Sequence, residues 1–325
     1  PSPGVLCSSW CPEGDGCREP RRIAWDAATG ARLGPVSEDP RLPGTGLDVV
    51  TYGSHMVESH GGRVMFDRPH RIEVVDRAGA TRWSAESPDW LDVVVHAEAE
   101  PPALVVYDRS SVTVRDAATG AVRGRYRLTD PGQWVFSAMV VGDLLLVDTV
   151  SDVGNAVHAL DLDTLTARWW RRLADNGWLG PCGDLLCLYR YESDGSITVV
   201  LDPRTGVDLW STDGWVELVA GRFLLRPPES FLTEGQPVPA TRLVAPRTGE
   251  TLVDLSGWTA VGTGGDGTVV LTEPTSAGTA VALLDPGGTA PRHLGTVTGT
   301  FWSCTPFDGG MVCAGNAGIT VWAFR

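Results

Sequence analysis

The feature of this sequence that most restricts its fold is a short motif that returns throughout the chain. In its clearest copy, residues 198–212 read T-V-V-L-D-P-R-T-G-V-D-L-W-S-T. An apolar run ends at Asp202, the segment from Pro203 to Gly206 has the composition of a tight turn, and a second apolar run leads to Trp210. The motif therefore predicts a β-strand, a turn and a second β-strand.

Two series of residues give the spacing of the repeat. The position of Asp202 is occupied, at steps of 50, 40, 45, 41, 43 and 40 residues, by Asp26, Asp76, Asp116, Asp161, Asp202, Ala245 and Asp285. A Trp opens an apolar run at steps of 44, 44, 37, 43 and 44 residues, at Trp90, Trp134, Trp178, Trp215, Trp258 and Trp302. Steps of this size are typical of the blades of a β-propeller.

Each repeat predicts four antiparallel strands, the first marked by the Trp and the third ended by the Asp. A blade of this kind buries its faces only against its neighbours, so the blades must close into a ring. The chain has 39 Gly and 23 Pro, spread over its whole length, and it lacks a long apolar pattern with a helical period. We therefore predict an all-β fold, an eight-bladed β-propeller of four-stranded antiparallel blades.

The propeller is predicted to be a single domain that covers residues 1–325. Its blades are expected at residues 1–36, 45–86, 89–129, 132–174, 176–213, 214–256, 257–297 and 299–325. Seven blades are the alternative, if residues 21–36 complete the last blade.

The spacing of the seven Cys predicts disulfides. Counting outward from a hairpin turn brings two Cys opposite each other in three places, which predicts the pairs Cys11–Cys17, Cys182–Cys187 and Cys304–Cys313. Cys7 is left over. Buried free thiols are the alternative, whereas zinc is not predicted because the Cys lie in separate hairpins without a C-x-x-C motif. Disulfides indicate an oxidising compartment outside the cytoplasm.

Charge and hydropathy restrict the partners. The formal net charge of −14 and the pI near 4.8 argue against nucleic acid or an anionic membrane surface, because both attract cationic proteins. No apolar run approaches the roughly 18 residues of a membrane helix. The sequence begins at Pro1 without Met, so we expect a secreted or cell-surface bacterial protein whose signal peptide or anchor was removed upstream.

The segment from Leu201 to Gly206 with Trp210 resembles the repeat of the pyrroloquinoline-quinone-type β-propellers, which is Asp, two residues, Thr-Gly, three residues and Trp. The resemblance covers nearly the whole chain, although the other copies are degenerate. It implies a structural role, the docking of one blade on the next, for Asp202, Thr205, Gly206, Trp210, Asp161, Trp169, Asp76 and Trp83. The family contains quinoprotein alcohol dehydrogenases and many non-enzymatic relatives.

The enzymes of that family imply a quinone held by a disulfide between adjacent Cys residues, and a Ca²⁺ bound by Glu, Asn and Asp. This chain has no Cys-Cys pair, and its three Asn, at Asn155, Asn176 and Asn316, lie in no recognisable Ca²⁺ motif. The sequence therefore predicts neither pyrroloquinoline quinone nor Ca²⁺, and no other metal.

Two further patterns look like chemical motifs. Gly262, Gly264 and Gly267 match G-x-G-x-x-G, but a strand follows them where a dinucleotide needs a helix, so a hairpin turn is predicted. The string from His55 to His60 lacks the spacing of a zinc hydrolase and also predicts a hairpin. No catalytic residue is assigned from the sequence.

The Trp residues that begin first strands are the candidate ligand-binding residues, because such strand starts lie near one rim of a propeller funnel. They can form an aromatic mouth for a flat or sugar ligand, or else fill the wedges between blades. Nearby carboxylates that would favour a cationic partner are Asp89, Asp92, Asp130, Asp175, Asp213 and Glu217. The connection from Glu229 to Thr241, with Phe231 and Leu232, is a candidate partner-contacting loop or a disordered insertion.

Two functions are compatible with these patterns. The first is a non-catalytic binding, scaffold or sensor domain for a protein partner or a small ligand. The second is an enzyme that uses the funnel, either a degenerate quinoprotein dehydrogenase or a hydrolase or lyase. An enzyme predicts several carboxylates or His that converge with shifted pKa values.

Overall fold

A computed structural model describes most of the chain from residue 71 onward and short strands before it. The described residues are 5–10, 21–26, 32–35, 41–42, 47–52, 55–59, 62–66, 71–76, 80–88, 90–96, 99–130, 132–174, 177–192, 195–227, 238–264, 266–299, 301–307, 310–315 and 318–323. Up to residue 66, side chains are described only at Leu47 and Val49.

The described residues form antiparallel sheets and no helix, and the chain divides into two compact units, residues 1–125 and 126–325. We letter the sheets in chain order. Sheet A contains Val5–Trp10, Arg21–Asp26 and Arg32–Pro35. Sheet B contains Arg41–Leu42, Leu47–Tyr52, Arg71–Asp76 and Thr81–Glu86. Sheet C contains Asp92–His96, Ala103–Tyr107, Ser111–Asp116 and Val122–Arg127.

The second unit continues with five sheets. Sheet D contains Trp134–Val141, Leu144–Ser151, Gly154–Asp161 and Ala167–Arg172. Sheet E contains Gly177–Cys182, Leu185–Glu192, Gly195–Leu201 and Asp208–Asp213. Sheet F contains Trp215–Val219, Arg222–Arg226, Arg242–Val244 and Thr251–Asp254. Sheet G contains Val238–Pro239, Thr259–Thr263, Val269–Thr275, Gly278–Leu284 and Arg292–Val297. Sheet H contains Phe301–Phe307, Gly310–Gly315 and Gly318–Ala323.

The predicted repeat maps directly onto these sheets. In sheets C to F, four strands pair in the order in which they occur in the chain, and the Asp position ends or follows the third strand. Trp134 and Trp215 begin first strands, whereas Trp90 and Trp258 lie just before theirs. The result is an all-β chain with several four-stranded antiparallel sheets, which is consistent with a β-propeller. The number of blades and the closure of the ring stay predictions.

Sheets B and G depart from the four-strand pattern. In sheet B, Leu47–Tyr52 pairs directly with Arg71–Asp76, and the segments His55–Ser59 and Gly62–Phe66 form a separate hairpin. In sheet G, Val238–Pro239 adds a fifth strand beside Thr259–Thr263. The predicted loop from Glu229 to Thr241 therefore ends in a short strand, and its Phe231 and Leu232 lie outside the described residues.

The turn after the third strand is held by its Asp. The Asp202 carboxylate accepts hydrogen bonds from the backbone N–H groups of Arg204 at 2.9 Å and Thr205 at 3.1 Å. The Gly206 N–H donates to the Asp202 carbonyl at 2.8 Å, and Gly206 has a φ of +67°. A short side chain that accepts from its own turn and a residue that tolerates positive φ are what this turn requires, so the motif follows from backbone geometry.

A Trp on the fourth strand binds the turn of the next sheet. Its indole N–H donates to a backbone carbonyl one residue after the Asp position, in the pairs Trp83 to Ala117 at 2.9 Å, Trp169 to Pro203 at 2.8 Å and Trp210 to Pro246 at 2.7 Å. The Gly of that turn packs closely against the same indole. A Cβ added to Gly206 would come 2.7 Å from Trp169 Cδ2. We call this indole, carbonyl and Gly contact the Trp joint.

Apolar clusters fill the space between consecutive sheets within each unit. Leu146 and Val157 of sheet D pack with Leu186 and Leu188 of sheet E. Equivalent clusters join sheets B and C, E and F, F and G, and G and H. Sheets E, F and G therefore each bury side chains on both faces, against the preceding sheet and against the next.

Two predicted disulfides are confirmed. Cys304 and Cys313 are directly opposite in strand register, with Cα atoms 4.0 Å apart. Cys182 and Cys187 are also bonded, but Cys182 pairs with Leu185 because the hairpin turns at Gly183 and Asp184. The expectation that 182 lies opposite 187 was therefore wrong, because the turn is one residue earlier and the partner of 182 is two residues earlier; the disulfide is diagonal, with a Cα separation of 5.8 Å.

The remaining predictions about hairpins have different outcomes. The pair Cys11–Cys17 lies outside the described residues. The predicted hairpin turn joins Thr259–Thr263 to Val269–Thr275, and Gly262 lies in the first of these strands, opposite Val270. His55 to Ser59 is a strand of the separate hairpin, and His60 is outside the described part of the chain.

The Trp joint predicts different costs for two Gly to Ala substitutions. Gly287 has a φ of +75° but nothing within 4 Å of a Cβ, so Gly287→Ala should lower the free energy of unfolding by about 1–2 kcal/mol. Gly206→Ala carries the same backbone penalty and also collides with Trp169, which adds about 1–3 kcal/mol. Urea denaturation midpoints measure both costs. In a Trp169→Ala background the difference between the two substitutions should disappear, and its persistence would contradict the joint.

Thiol counting tests the disulfides. The unreduced protein, denatured and titrated with a thiol reagent, should contain about one reactive thiol, because three disulfides leave Cys7 alone. The double variant Cys182→Ser with Cys187→Ser should leave that count unchanged. Six or seven reactive thiols in the parent protein would contradict both the pairing and the oxidising compartment.

Candidate functional site

Four aromatic rings form a contiguous stack between sheets E and F. Trp178 lies parallel to Tyr189, with ring centroids 4.2 Å apart, and Tyr189 stacks on Trp215 at 5.1 Å. Tyr191 meets Trp215 edge to face at 5.4 Å. Tyr189 is only 8% exposed, whereas Trp178 is 46% exposed and Tyr191 is 48% exposed. The stack therefore has a buried centre and two solvent-facing rings, and we call it the aromatic stack.

Strand register explains why these rings meet. Trp178 on the first strand of sheet E is directly opposite Tyr189 on the second strand. Tyr189 and Tyr191 are two residues apart and so share a strand face, which is the face that packs on sheet F. Trp215 begins the first strand of sheet F and completes the stack.

The disulfide Cys182–Cys187 supports the aromatic stack. Cys182, Cys187 and Tyr189 belong to one buried cluster that also contains Val216 and Phe223 of sheet F. Burial in this cluster raises the pKa of the Tyr189 hydroxyl above its usual value. The centre of the stack is thus a fixed apolar base for the two exposed rings.

The other predicted Trp residues do not belong to this stack. Trp90 is 3% exposed and meets the edge of Tyr107 at 5.8 Å. Trp134 contacts Phe136, and Trp258 packs on a buried cluster and meets His293. The side chain of Trp302 is outside the described residues. Of the six candidates, the described side chains bring Trp178 and Trp215 together, with ring centroids 6.3 Å apart.

A polar groove of about 710 Å³ lies at the end of sheets E and F that also holds the aromatic stack. It is lined by Ser211, Thr212, Asp213, Pro227, Thr241, Arg242, Thr251, Asp254 and Ser256. These residues come from the end of the fourth strand of sheet E, from the third and fourth strands of sheet F, and from the residues that adjoin the second, third and fourth strands of sheet F. We call this surface the polar groove.

The predicted carboxylates have different environments. Asp213 lines the polar groove. Glu217 pairs with Arg226 at 2.6 Å and accepts a hydrogen bond from the Thr263 hydroxyl at 3.3 Å. Asp92 accepts from the Tyr107 hydroxyl at 3.0 Å. Asp130 is exposed, and Asp89 and Asp175 are outside the described residues.

The opposite end of sheets D, E and F is charged and internally paired. A second hollow of about 490 Å³ lies there among the turns, and its lining includes Asp143, Asp184 and Arg247. Arg247 bonds Asp184 at 2.9 Å, and Arg168 bonds Asp143 at 2.7 Å and Asp161 at 2.5 Å. These ion pairs neutralise the charges at this end. The pair of Arg247 with Asp184 also links the turns of two neighbouring sheets.

Sheet D contains two groups with unusual environments. Burial raises the pKa of Asp148 to about 6, while a hydrogen bond from Ser137 at 2.5 Å opposes the shift. Burial lowers the pKa of His158, whose ring nitrogens lie 3.3 Å from the Tyr126 hydroxyl and from the Gln133 amide. Asp148 is opposite Val157 in register, so it and His158 lie on opposite faces of the sheet. The two groups cannot act on one substrate atom.

Among the residues that the structure describes, no three His, Cys, Asp or Glu side chains are grouped so that they could hold a metal ion. The described residues also contain no helix that is long and apolar enough to cross a membrane.

Sequence reasoning missed Tyr189 and Tyr191 and most of the polar groove. The signal for the two Tyr was present, because C-L-Y-R-Y alternates from Cys187 onward and a strand places alternate residues on one face. The groove residues gave no comparable signal. They are Ser, Thr, Asp and Arg at strand ends, where polar residues are expected in any case.

The described part of the chain is all-β, with several four-stranded antiparallel sheets that are consistent with a β-propeller, and its surface includes two exposed aromatic rings and a polar groove. The sequence matches no known protein family and no curated protein. The structure is similar to a eukaryotic initiation factor, with a TM-score of 0.53 and 11% identity over 93% of this chain and 80% of that chain. It also aligns with BamB from Moraxella catarrhalis, with a TM-score of 0.38 and 17% identity over 85% of this chain and 98% of that chain. The first likeness shows a shared fold alone, and the second carries no argument.

The raised pKa of Asp148 predicts a pH-dependent stability. Between about pH 4 and about pH 6 the folded protein binds a proton that the unfolded chain releases, so the stability contributed by this group falls as the pH rises. Asp148→Asn should therefore be more stable than the parent at pH 7.5, by about 2–3 kcal/mol, and nearly equal to it at pH 3.5. Urea midpoints at both pH values measure the difference. Asp152→Asn, at an exposed turn, controls for the loss of one charge, and equal effects of the two substitutions would contradict the prediction.

Proposed function

We propose that this protein is a non-catalytic binding module that acts outside the cytoplasm, and that it holds a ring-shaped ligand on the aromatic stack. The exposed rings of Trp178 and Tyr191 are the observation that carries this proposal. Large aromatic side chains release much free energy when a ligand covers them, and rings that are already packed lose little conformational freedom on binding. An exposed pair on a rigid base is therefore a favourable place for a ligand.

The proposal includes the finer architecture expected from the repeat. It takes the sheets as blades of an eight-bladed propeller similar to the pyrroloquinoline-quinone-type proteins, with neither the quinone nor Ca²⁺ bound. The two disulfides at Cys182–Cys187 and Cys304–Cys313 support a location in an oxidising compartment. A scaffold or sensor role follows if a ligand or a protein partner occupies the aromatic stack.

The enzyme hypothesis receives less support. It requires titratable groups that converge on one point, whereas the shifted groups Asp148 and His158 lie on opposite faces of sheet D. The exposed aromatic rings of Trp178 and Tyr191 favour ligand binding over catalysis.

Two exposed Trp residues provide a matched test. Trp178 belongs to the aromatic stack, whereas Trp170 lies on the fourth strand of sheet D and is 67% exposed. Calorimetric titration should be carried out with neutral glycans, nucleosides, free aromatic amino acids and basic peptides. We expect Trp178→Ala to weaken the binding of at least one of these classes by about tenfold or more, because stacking on one ring contributes about 1–3 kcal/mol. Trp170→Ala should bind like the parent.

The same experiment can reject the proposal. A ligand that both variants bind with the parent's affinity would show that the aromatic stack is not the site. Urea midpoints should accompany the titrations, so that a loss of binding is separated from a loss of folding.

A further inference from the structure

We propose that the ligand is a neutral oligosaccharide, with one sugar ring on the aromatic stack and the next rings in the polar groove. This inference rests on the proposed function and names its ligand. Sugars carry C–H faces that pack on aromatic rings and hydroxyl groups that both donate and accept hydrogen bonds. The two surfaces between sheets E and F match these two properties.

The aromatic stack and the polar groove are neighbours on sheet E. Tyr191 is directly opposite Ser196 on the third strand, and the Gly214 N–H donates to the Ser196 carbonyl at 2.6 Å. Asp213, at the end of the fourth strand, precedes Gly214. Tyr191 is therefore two strand spacings from the groove, roughly 10 Å. A ligand of several linked rings can cover that span, whereas one sugar ring cannot.

The groove keeps a cation and a carboxylate unpaired with each other. Arg242 and Asp254 are directly opposite on neighbouring strands of sheet F, on the face that packs toward sheet E. No ion pair joins them in the described structure, and the Arg242 guanidinium has no other partner among the described side chains. Asp254 accepts two hydrogen bonds from Ser256, which lower the pKa of its carboxyl and keep it ionised. One ligand hydroxyl can accept from Arg242 while another donates to Asp254.

Hydroxyl groups complete the lining. Thr212 contributes from sheet E, and Ser211, Thr241 and Thr251 lie beside it or across the groove. The volume of about 710 Å³ is within the usual range for small-ligand sites. Hydrogen-bond donors and acceptors therefore surround this space, and a ligand with several hydroxyl groups can bind both.

Charge selects among ligand classes. Asp213 and Asp254 would repel an anionic ligand, and the net charge of −14 would disfavour an acidic polysaccharide. A neutral oligosaccharide avoids this repulsion, and its hydroxyl groups can use Arg242 and a carboxylate together. A basic peptide would be attracted by the two carboxylates, and the test below separates it from a glycan.

An unsatisfied buried hydroxyl lies at the junction of the two surfaces. Ser196 is 5% exposed, and its Oγ has no hydrogen-bond partner in the described structure. A buried hydroxyl without a partner costs free energy, so this position gains if a ligand or a ligand-bound water reaches it. Ser196 is opposite Tyr191 of the aromatic stack, and its carbonyl accepts from Gly214, the residue after Asp213 of the polar groove.

The test uses an array of neutral glycans, followed by calorimetric titration of any tetrasaccharide that binds and of its monosaccharide. We expect the tetrasaccharide to bind about tenfold or more tightly than the monosaccharide, because the groove contributes hydrogen bonds that one ring cannot reach. Arg242→Met should weaken the tetrasaccharide about tenfold or more and leave the monosaccharide unchanged. Arg292→Met, an exposed Arg on the fourth strand of sheet G, should have no effect on either.

Three results would overturn the inference. One is the absence of any bound neutral glycan, and another is a tetrasaccharide whose affinity survives Arg242→Met. The third is a basic peptide that binds through Trp178 when no glycan does, which would leave the proposed function standing and remove only the oligosaccharide. Thr212→Val, on the sheet E wall of the groove, repeats the test should Arg242→Met fold poorly.

Discussion

The structure depends on one contact, the hydrogen bond from a Trp indole to a backbone carbonyl in the turn of the following sheet. Trp169 and Trp210 each make it, and each also covers the turn Gly that the bond brings close. Apolar clusters between the sheets contribute most of the buried area, but they are not directional. The Trp joint adds direction, because the indole nitrogen and the carbonyl must be aligned. It therefore sets how sheets B and C, D and E, and E and F lie against each other.

The joint also separates the two ends of each sheet by role. The end that holds the Asp turns is filled with paired charges, such as Arg247 with Asp184, and has little binding capacity left. The other end carries the starts of first and third strands, and no residue of the joint lies there. Sheets E and F use that freedom, since their aromatic rings and unpaired Arg242 are all at this end. Sites arise where the repeat makes no structural demand.

Much of the fold could be predicted because residues close together in the sequence determine the turns and strands of the repeat. Asp202 with Gly206 predicts a turn, and the regular spacing of the Trp residues predicts successive sheets. Neither prediction needs tertiary information. The register around Cys182 could not be predicted, since one residue decides whether a hairpin turns at 183–184 or at 184–185. The aromatic stack was half predicted. Trp178 and Trp215 stood out by their spacing, whereas Tyr189 and Tyr191 contribute through a pairing between strands that the repeat does not encode.

The acceptor in the Trp joint is a main-chain oxygen, at Ala117, Pro203 and Pro246 alike. Every residue type offers that oxygen, so the receiving sheet can change almost all of its side chains and still be held. Sheet F itself has Val253 at the position of the Trp, and there Arg222 reaches the carbonyls of Asp285 and Gly288 in the next turn. A duplicated or exchanged sheet would offer the same main-chain carbonyl as acceptor for the Trp indole. The architecture is in this sense modular, and such modularity lets a repeat diverge in sequence until only its spacing can be read.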